Sequence, residues 1–429
     1  MAEQARAVER ESSSKAMGIV QQLLHDYHPR DFAIKFWDGS RLDAEPGQFC
    51  RFTWYIHHPS VLRSLLRSDR QVALGEAFIY GDFDISGDIL AVFPIAEYLE
   101  SVHFGATQKL RVASTVLGLP SKLHGEQARA ELHGRTHSRA RDQQAVSFHY
   151  DLSNEFYSLW LDPEMVYSCA YFKSTNDSLE SAQIQKLDHI CRKLRLRPGE
   201  RLLDIGCGWG GLIRHAAKYY GVSAVGITLS RRQLELAQRR IREEGLSSRC
   251  EVRLLDYRDA HQLGPVDKLV SVGMVEHVGE RALPEYFRCA FRLLKPGGVF
   301  LNHGIGRAGD RPKASEKTFT DVYVFPDGEL APISTMLARA EETGLEVRDV
   351  ENLREHYFFT LVQWLRRLES KEAKAKELIG ELKFRIWRLY LAGSAHYFRS
   401  GKLDLYQSLL VKTAGGKSGM PLTRADWYR

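Results

Sequence analysis

The chain has 429 residues, too many for one ordinary domain and enough for two or three. Hydrophobic residues make up 44% and charged residues 27%, which excludes a mainly disordered, collagenous or disulfide-scaffold protein. Lys+Arg is 60 against Asp+Glu 54, a formal charge of +6, so the balance is mildly basic and admits an anionic partner without naming its kind.

The N-terminus, MAEQARAVERESSSKAM, is polar and lacks the apolar segment of an export signal. No stretch reaches the roughly 18 uninterrupted apolar residues of a membrane span, so contact with a membrane is expected only from the side. Residues 1–104 are expected to form a small α+β domain. Ser13 to His28 reads as a helix, with Met17, Val20, Leu23 and Leu24 at helical spacing. Phe32–Trp37 and Cys50–Ile56 read as strands, and GDFDISGD at 81–88 as a turn.

Residues 105–146 read as a basic linker without apolar period, carrying Lys109, Arg111, Lys122, Arg129, Arg135, Arg139 and Arg141. It is either a solvated connector or a surface for anionic lipid headgroups, where each cation adds roughly 1 kcal/mol. Residues 147–429 are expected to hold the catalytic domain. Strands are expected at Arg201–Ile205, Val222–Ile227, Cys250–Leu255, Asp267–Val272 and Gly298–Asn302. Helices are expected at Leu212–Tyr220, from a capping Ser230 to Gly245, over 333–344 and over 360–400. This alternation implies an α/β fold with a parallel sheet, whose ligands sit at the carboxyl ends of the strands.

The strongest local signal is LLDIGCGWGGL at 202–212. A strand carrying Asp204 leads into Gly206, Gly208 and Gly210, which let the backbone turn sharply against a ligand. GCGWGG also fits a dinucleotide fingerprint, so the glycines alone do not choose the cofactor. A nicotinamide site needs an acid at the next strand end. Here AVGITLSRRQ offers Thr228, Ser230 and Gln233 instead. The strand after it ends in Asp256, Tyr257 and Arg258, with Asp256 suited to an adenine amino group and Tyr257 to its ring.

Residues 148–172 are dense in aromatics and include Cys169. No Lys or Arg lies near Cys169 in sequence to lower its pKa, which argues against covalent catalysis and favours its backbone N–H as the useful group. Glu276 and His277 follow one strand, and LNHGIG places His303 after the next. The six cysteines include no CxxC pair, which points away from a metal site or disulfide framework and toward a reducing compartment.

These blocks resemble a known family: the cyclopropane-fatty-acyl-phospholipid synthases and the related mycolic acid cyclopropane synthases. The resemblance spans roughly residues 145–410. It rests on HYDLSNEFYSLWLD, MVYSCAYF, LLDIGCGWGG, GITLSRRQ, DYRD, GMVEHVG, HGIG, REHYFFTLVQW and the tail RIWRLYLAGSAHYFRSGKLDLYQ. It implies a Rossmann-like S-adenosylmethionine-dependent methyltransferase fold with a smaller N-terminal α+β domain for lipid docking. It implies that Tyr167, Ser168, Asp204, Gly206, Gly208, Gly210, Thr228, Leu229, Ser230, Gln233, Tyr257 and Arg258 bind S-adenosylmethionine. It also implies bicarbonate held by Cys169 through its N–H, Glu276, His303, Ile305 through its backbone, and Tyr357. The family more often shows Trp at Phe172, Phe at Val275 and Thr at Gly304. These departures leave the polar set whole and bear on pocket shape.

The activity implied is transfer of a methylene group to the cis double bond of an acyl chain in a phospholipid bilayer. An alkene has no proton to remove beforehand, so the methyl must be placed at about 3–3.5 Å. The resulting cation needs a dry, aromatic-lined pocket, for which Phe172, Tyr323 and Tyr357 are candidates, and then a base. Methylation without ring closure is the alternative, and a lipid-binding protein without catalysis a second one. The expected setting is the cytoplasm, at the inner face of the membrane, with no nucleic-acid partner, no metal, and a homodimer left open.

Overall fold

The computed structural model describes residues 2–65, 67, 69–101, 114, 116, 119, 128–150, 152–309 and 317–428. Lys109, Arg111 and Lys122 of the basic stretch lie outside the described residues. The chain divides into two compact units. The first joins Met1–Arg129, Ala314–Tyr323 and Gly380–His396; the second joins Ala130–Lys313, Val324–Ile379 and Tyr397–Arg429.

In the first unit the leading helix runs Ala2–Leu23, beginning before Ser13 and ending short of His28. Four strands follow: β1 (Phe32–Lys35), β2 (Arg41–Leu42), β3 (Phe52–Ile56) and β4 (Phe83–Gly87). Their order is β2-β1-β3-β4, with β1 and β3 parallel and the other pairs antiparallel. Phe52, Trp54 and Ile56 alternate inward along β3, the period of a half-buried strand. The segments recruited from later in the chain are tightly fitted. A Cβ at Gly75 would lie 2.3 Å from the Phe319 ring, so only glycine lets the two approach. Arg385 donates to the Phe78 and Phe83 carbonyls at 2.8 and 2.9 Å, pairs with Asp84 at 2.7 Å and lies over the Phe78 ring.

The second unit is built on seven strands: β5 (Arg201–Ile205), β6 (Ser223–Thr228), β7 (Cys250–Leu254), β8 (Val266–Val272), β9 (Leu294–Arg307), β10 (Glu346–Asn352) and β11 (Leu403–Val411). The order is β10-β11-β9-β8-β5-β6-β7. β5 to β9 are mutually parallel, while β11 is antiparallel to both β9 and β10. β10 and β11 were not expected, and β9 outruns the expected Gly298–Asn302 at both ends: β8 pairs with it from Leu294, and β11 pairs with it as far as Arg307. The helix expected over 360–400 is instead Arg354–Ser370 followed by Glu372–Arg399, the latter broken by a non-helical Gly380. The end of the basic stretch is not a connector: Arg139–Tyr150 is helical, Arg139 pairs with Asp259 at 2.7 Å, and Arg141 donates to Asp327 at 2.9 Å. No helix of the described residues is long and apolar enough to cross a membrane.

Arg385→Ala strips charged donors from two carbonyls of the first unit, so it should cost that unit about 2–3 kcal/mol. Hydrogen exchange across β4 in the full chain should then accelerate, while the exposed control Lys383→Ala leaves it unchanged.

Candidate active site

The carboxyl ends of β5, β6 and β8 open onto one cavity of about 1130 Å3, counting the part open to solvent. Of the residues expected to bind a cofactor, Tyr167, Ser168, Asp204, Gly206, Gly208, Thr228, Leu229, Gln233, Tyr257 and Arg258 line it. Gly206 has φ +82° and Gly208 φ +54°, so the loop presents backbone where other residues would be strained. Gly210 and Ser230 stand behind the wall. A Cβ on Gly210 would sit 3.2 Å from Ala237, so this glycine seats one helix against the next. Ser230 caps the helix Arg231–Glu243, its hydroxyl accepting from the Gln233 N–H. Thr228 donates to Gln233 Oε1 at 2.7 Å, which fixes both side chains.

Asp256 does less for a ligand than its place suggests. Its carboxylate accepts from the Arg258 backbone N–H at 2.9 Å and from the Arg258 guanidinium at 2.8 and 2.6 Å. The same guanidinium reaches Asp142 at 3.0 Å. His277, expected after its strand, and Trp209 of the glycine loop also line the cavity, whereas Asp142 and Lys186 are cavity residues that local motifs did not single out. Lys186 had a signal: it falls on the buried stripe of the helix Leu179–Leu194, where periodicity calls for an apolar residue. Burial draws it down to about 8, with Asp162, Cys169 and Asp204 opposing. Burial raises Asp204 to about 7 against the pull of Lys186, and its Oδ1 has no hydrogen-bond partner among the described residues.

The second group of expected residues lies outside the cavity lining. Glu276 sits between two cavity residues, Met274 and His277. Its Oε1 accepts from the Ile305 N–H at 2.7 Å, and its buried Oε2 has no partner among the described residues. Burial pushes this carboxyl up to about 7, the Ile305 bond opposing. The Ile305 N–H is thus spent on orienting Glu276. His303 does not follow its strand, as the sequence suggested, but lies within β9, level with Val272 at the end of β8. It is 1% exposed, its Nδ1 is 3.2 Å from Gln407 Nε2, and its Nε2 has no partner among the described residues. Burial holds it well below its usual pKa, so the ring is neutral. With Gln407 donating to Nδ1, the proton resides on Nε2.

Cys169 is fully buried, and burial raises its thiol far above the usual range although Lys186 is a nearby cation. It is no nucleophile. Its thiol faces the Leu353 carbonyl at 3.8 Å, which also accepts from the Tyr357 N–H, so Cys169 and Tyr357 meet at that carbonyl. The Tyr357 ring packs 4.6 Å from Phe398 and 6.0 Å from Trp364. Phe172 is anchored by its N–H to His356 Nδ1 at 3.0 Å. Tyr323 belongs to the first unit, where its hydroxyl donates to Glu76 at 2.8 Å.

An open sheet of this order, with a glycine loop after β5 and antiparallel β11 inserted, defines a Rossmann-like methyltransferase fold of the S-adenosylmethionine-dependent class. Mycolic acid cyclopropane synthase CmaA1, solved in complex with SAH and CTAB, aligns with 62% of this chain and 97% of its own at 34% identity and TM-score 0.59. The sequence profile described as Mycolic acid cyclopropane synthetase matches residues 137–408, and the chain belongs to that family. Residues 19–104 match a domain of unknown function. A Pseudomonas putida protein named "Probable fatty acid methyltransferase" is 42% identical over 92% of this chain and 96% of its own length. The Escherichia coli K12 cyclopropane-fatty-acyl-phospholipid synthase is 41% identical over 64% of this chain and 69% of its own.

Glu276 gives a signed pH prediction. Its pKa rises from 4.5 to about 7 on folding, so between those values the folded chain binds more protons than the unfolded one. Its contribution to stability is therefore complete below 4.5 and lost as pH climbs through 7. Glu276→Gln should flatten the melting temperature over that window and melt above wild type at pH 8; a variant curve parallel to wild type would show the carboxyl to be unperturbed.

Proposed function

We propose that the enzyme transfers the methyl carbon of S-adenosylmethionine to the cis double bond of an unsaturated acyl chain in membrane phospholipid and closes a cyclopropane ring. The observation that carries this reading is Glu276, with one carboxylate oxygen fixed by Ile305 and the other without a partner among the described residues. The cofactor fits by features of the chain itself: a loop of positive-φ glycines, an Asp204 Oδ1 with no partner among the described residues, and a wall mixing apolar and polar groups. When bound, S-adenosylmethionine supplies an electrophilic methyl group.

The chain's part is placement, exclusion of water and charge. Tyr167, Trp160 and Trp364 form one edge-packed aromatic block, with Tyr167 exposed to the cavity, so an olefin brought there meets little water. Ring faces also stabilise positive charge developing on the acyl chain. Glu276 Oε2, the His303 Nε2–H and the Cys169 N–H would hold a bicarbonate ion, which would supply a base near the new methyl. Such an ion both donates and accepts, and Glu276 Oε2 and His303 Nε2 have no hydrogen-bond partner among the described residues. Neutral His303 adds a hydrogen bond without adding a cation. Methylation without ring closure is the second reading, favoured by the name of the Pseudomonas putida relative, which matches along nearly its whole length.

The enzyme is proposed to work from the inner face of a membrane. Arg129, Arg139 and Arg141 are already paired with Glu76, Asp259 and Asp327, so they offer a lipid surface less charge than the sequence suggests.

Labelled cofactor and vesicles of unsaturated phospholipid test the proposal, with mass analysis and NMR of the acyl chains. A gain of CH2 with loss of all olefinic protons supports ring closure; a gain with olefinic signal remaining at a new position supports the second reading; no transfer sinks both. Glu276→Gln should cut turnover by roughly 10²-fold or more while SAH binding stays nearly unchanged. Normal turnover would remove Glu276 from the chemistry.

A further inference from the structure

Tyr167 and Ser168 line one side of the cavity, and two side chains of the helix Leu179–Leu194 hold that segment. Gln183, with 0% exposure, donates from Nε2 to the Ser168 carbonyl at 2.9 Å and to the Val166 carbonyl at 3.2 Å. One turn on, Lys186 is 2% exposed and donates from Nζ to Ser168 Oγ at 2.9 Å. Burying an ammonium costs several kcal/mol, which an apolar residue on the same stripe avoids. The ammonium still carries its proton at neutral pH. It has donors only, so in this bond the serine oxygen must be the acceptor. The hydroxyl hydrogen of Ser168 is then left to donate elsewhere, and Ser168 faces the cavity.

We infer that Lys186 is a positioning residue that turns Ser168 into a donor toward the cavity, and that this corner receives the carboxylate at the amino-acid end of the cofactor. The inference rests on the cavity being the S-adenosylmethionine site. A carboxylate only accepts, matching the hydroxyl hydrogen that Ser168 has left to give. The buried ammonium also favours an anion there and opposes the cofactor's own amino group or sulfonium.

The test compares SAH with 5′-methylthioadenosine, which lacks the amino-acid end. Binding of each to the full chain is measured by calorimetry for wild type, Lys186→Met, Ser168→Ala and the double variant. Lys186→Met should weaken SAH roughly tenfold or more and leave 5′-methylthioadenosine nearly unchanged. The double variant should be no weaker than the worse single variant, since both remove one device. Equal loss of both probes marks a packing role and overturns the inference, as does unchanged SAH affinity. If Lys186→Met does not fold, Ser168→Ala carries the comparison: selective loss of SAH supports the inference and equal loss overturns it. A wild-type chain that binds neither probe overturns the cofactor reading itself.

Discussion

Asp204, Lys186, His303 and the carboxylate of Glu276 are all withdrawn from water around one sheet, and a buried ionisable group must be neutral, paired or held for a ligand. Each meets that constraint in its own way. His303 is neutral because burial outweighs everything else near it. Asp204 and Lys186 restrain each other's shifts across the cavity wall. Glu276 spends one oxygen on a backbone N–H and leaves the other open. Fixed dipoles withdrawn from water are what electrostatic preorganisation requires.

What could be read from the chain in advance was what is local. The loop after β5, the cap at Ser230 and the strands β5 to β8 announce themselves through glycine spacing, a capping serine and short apolar runs. β10 was hidden because Glu346–Asn352 is an edge strand with alternating partial exposure, and EVRDVEN reads as polar. β11 was hidden behind a helix whose aromatic tail masks the change of period. His303 was assigned to a strand end because nothing near it in sequence reveals that β11 prolongs β9 to Arg307. Lys186 meets Ser168 across a loop and a helix start, a contact that exists only once the helix is laid down. The signals that failed are thus the ones carried by pairing and packing between distant segments.

The same lesson governs the first unit. Its sheet and early helices come from the N-terminal stretch, yet Phe319 and Arg385 complete its packing from far downstream. Gly75 and the carbonyls of Phe78 and Phe83 are shaped for those late arrivals. The packing of this unit therefore draws on three separate stretches of the chain, two of them far downstream of its sheet.

Two departures from the family pattern prove to be one in space. A Cβ on Gly304 would lie 2.2 Å from Val275 Cγ1, and 3.8 Å from Glu276 Oε1. The β-branch of Val275 fills the volume that a side chain at 304 would take, so a threonine there and this valine rotamer exclude each other. Phenylalanine, unbranched at Cβ, removes that particular conflict, so positions 275 and 304 are sterically coupled in this chain. Because the exchange is nearly local in volume, it leaves the Ile305 N–H in reach of Glu276. Its effect is then confined to the packing next to the carboxylate, and the polar contact itself is untouched.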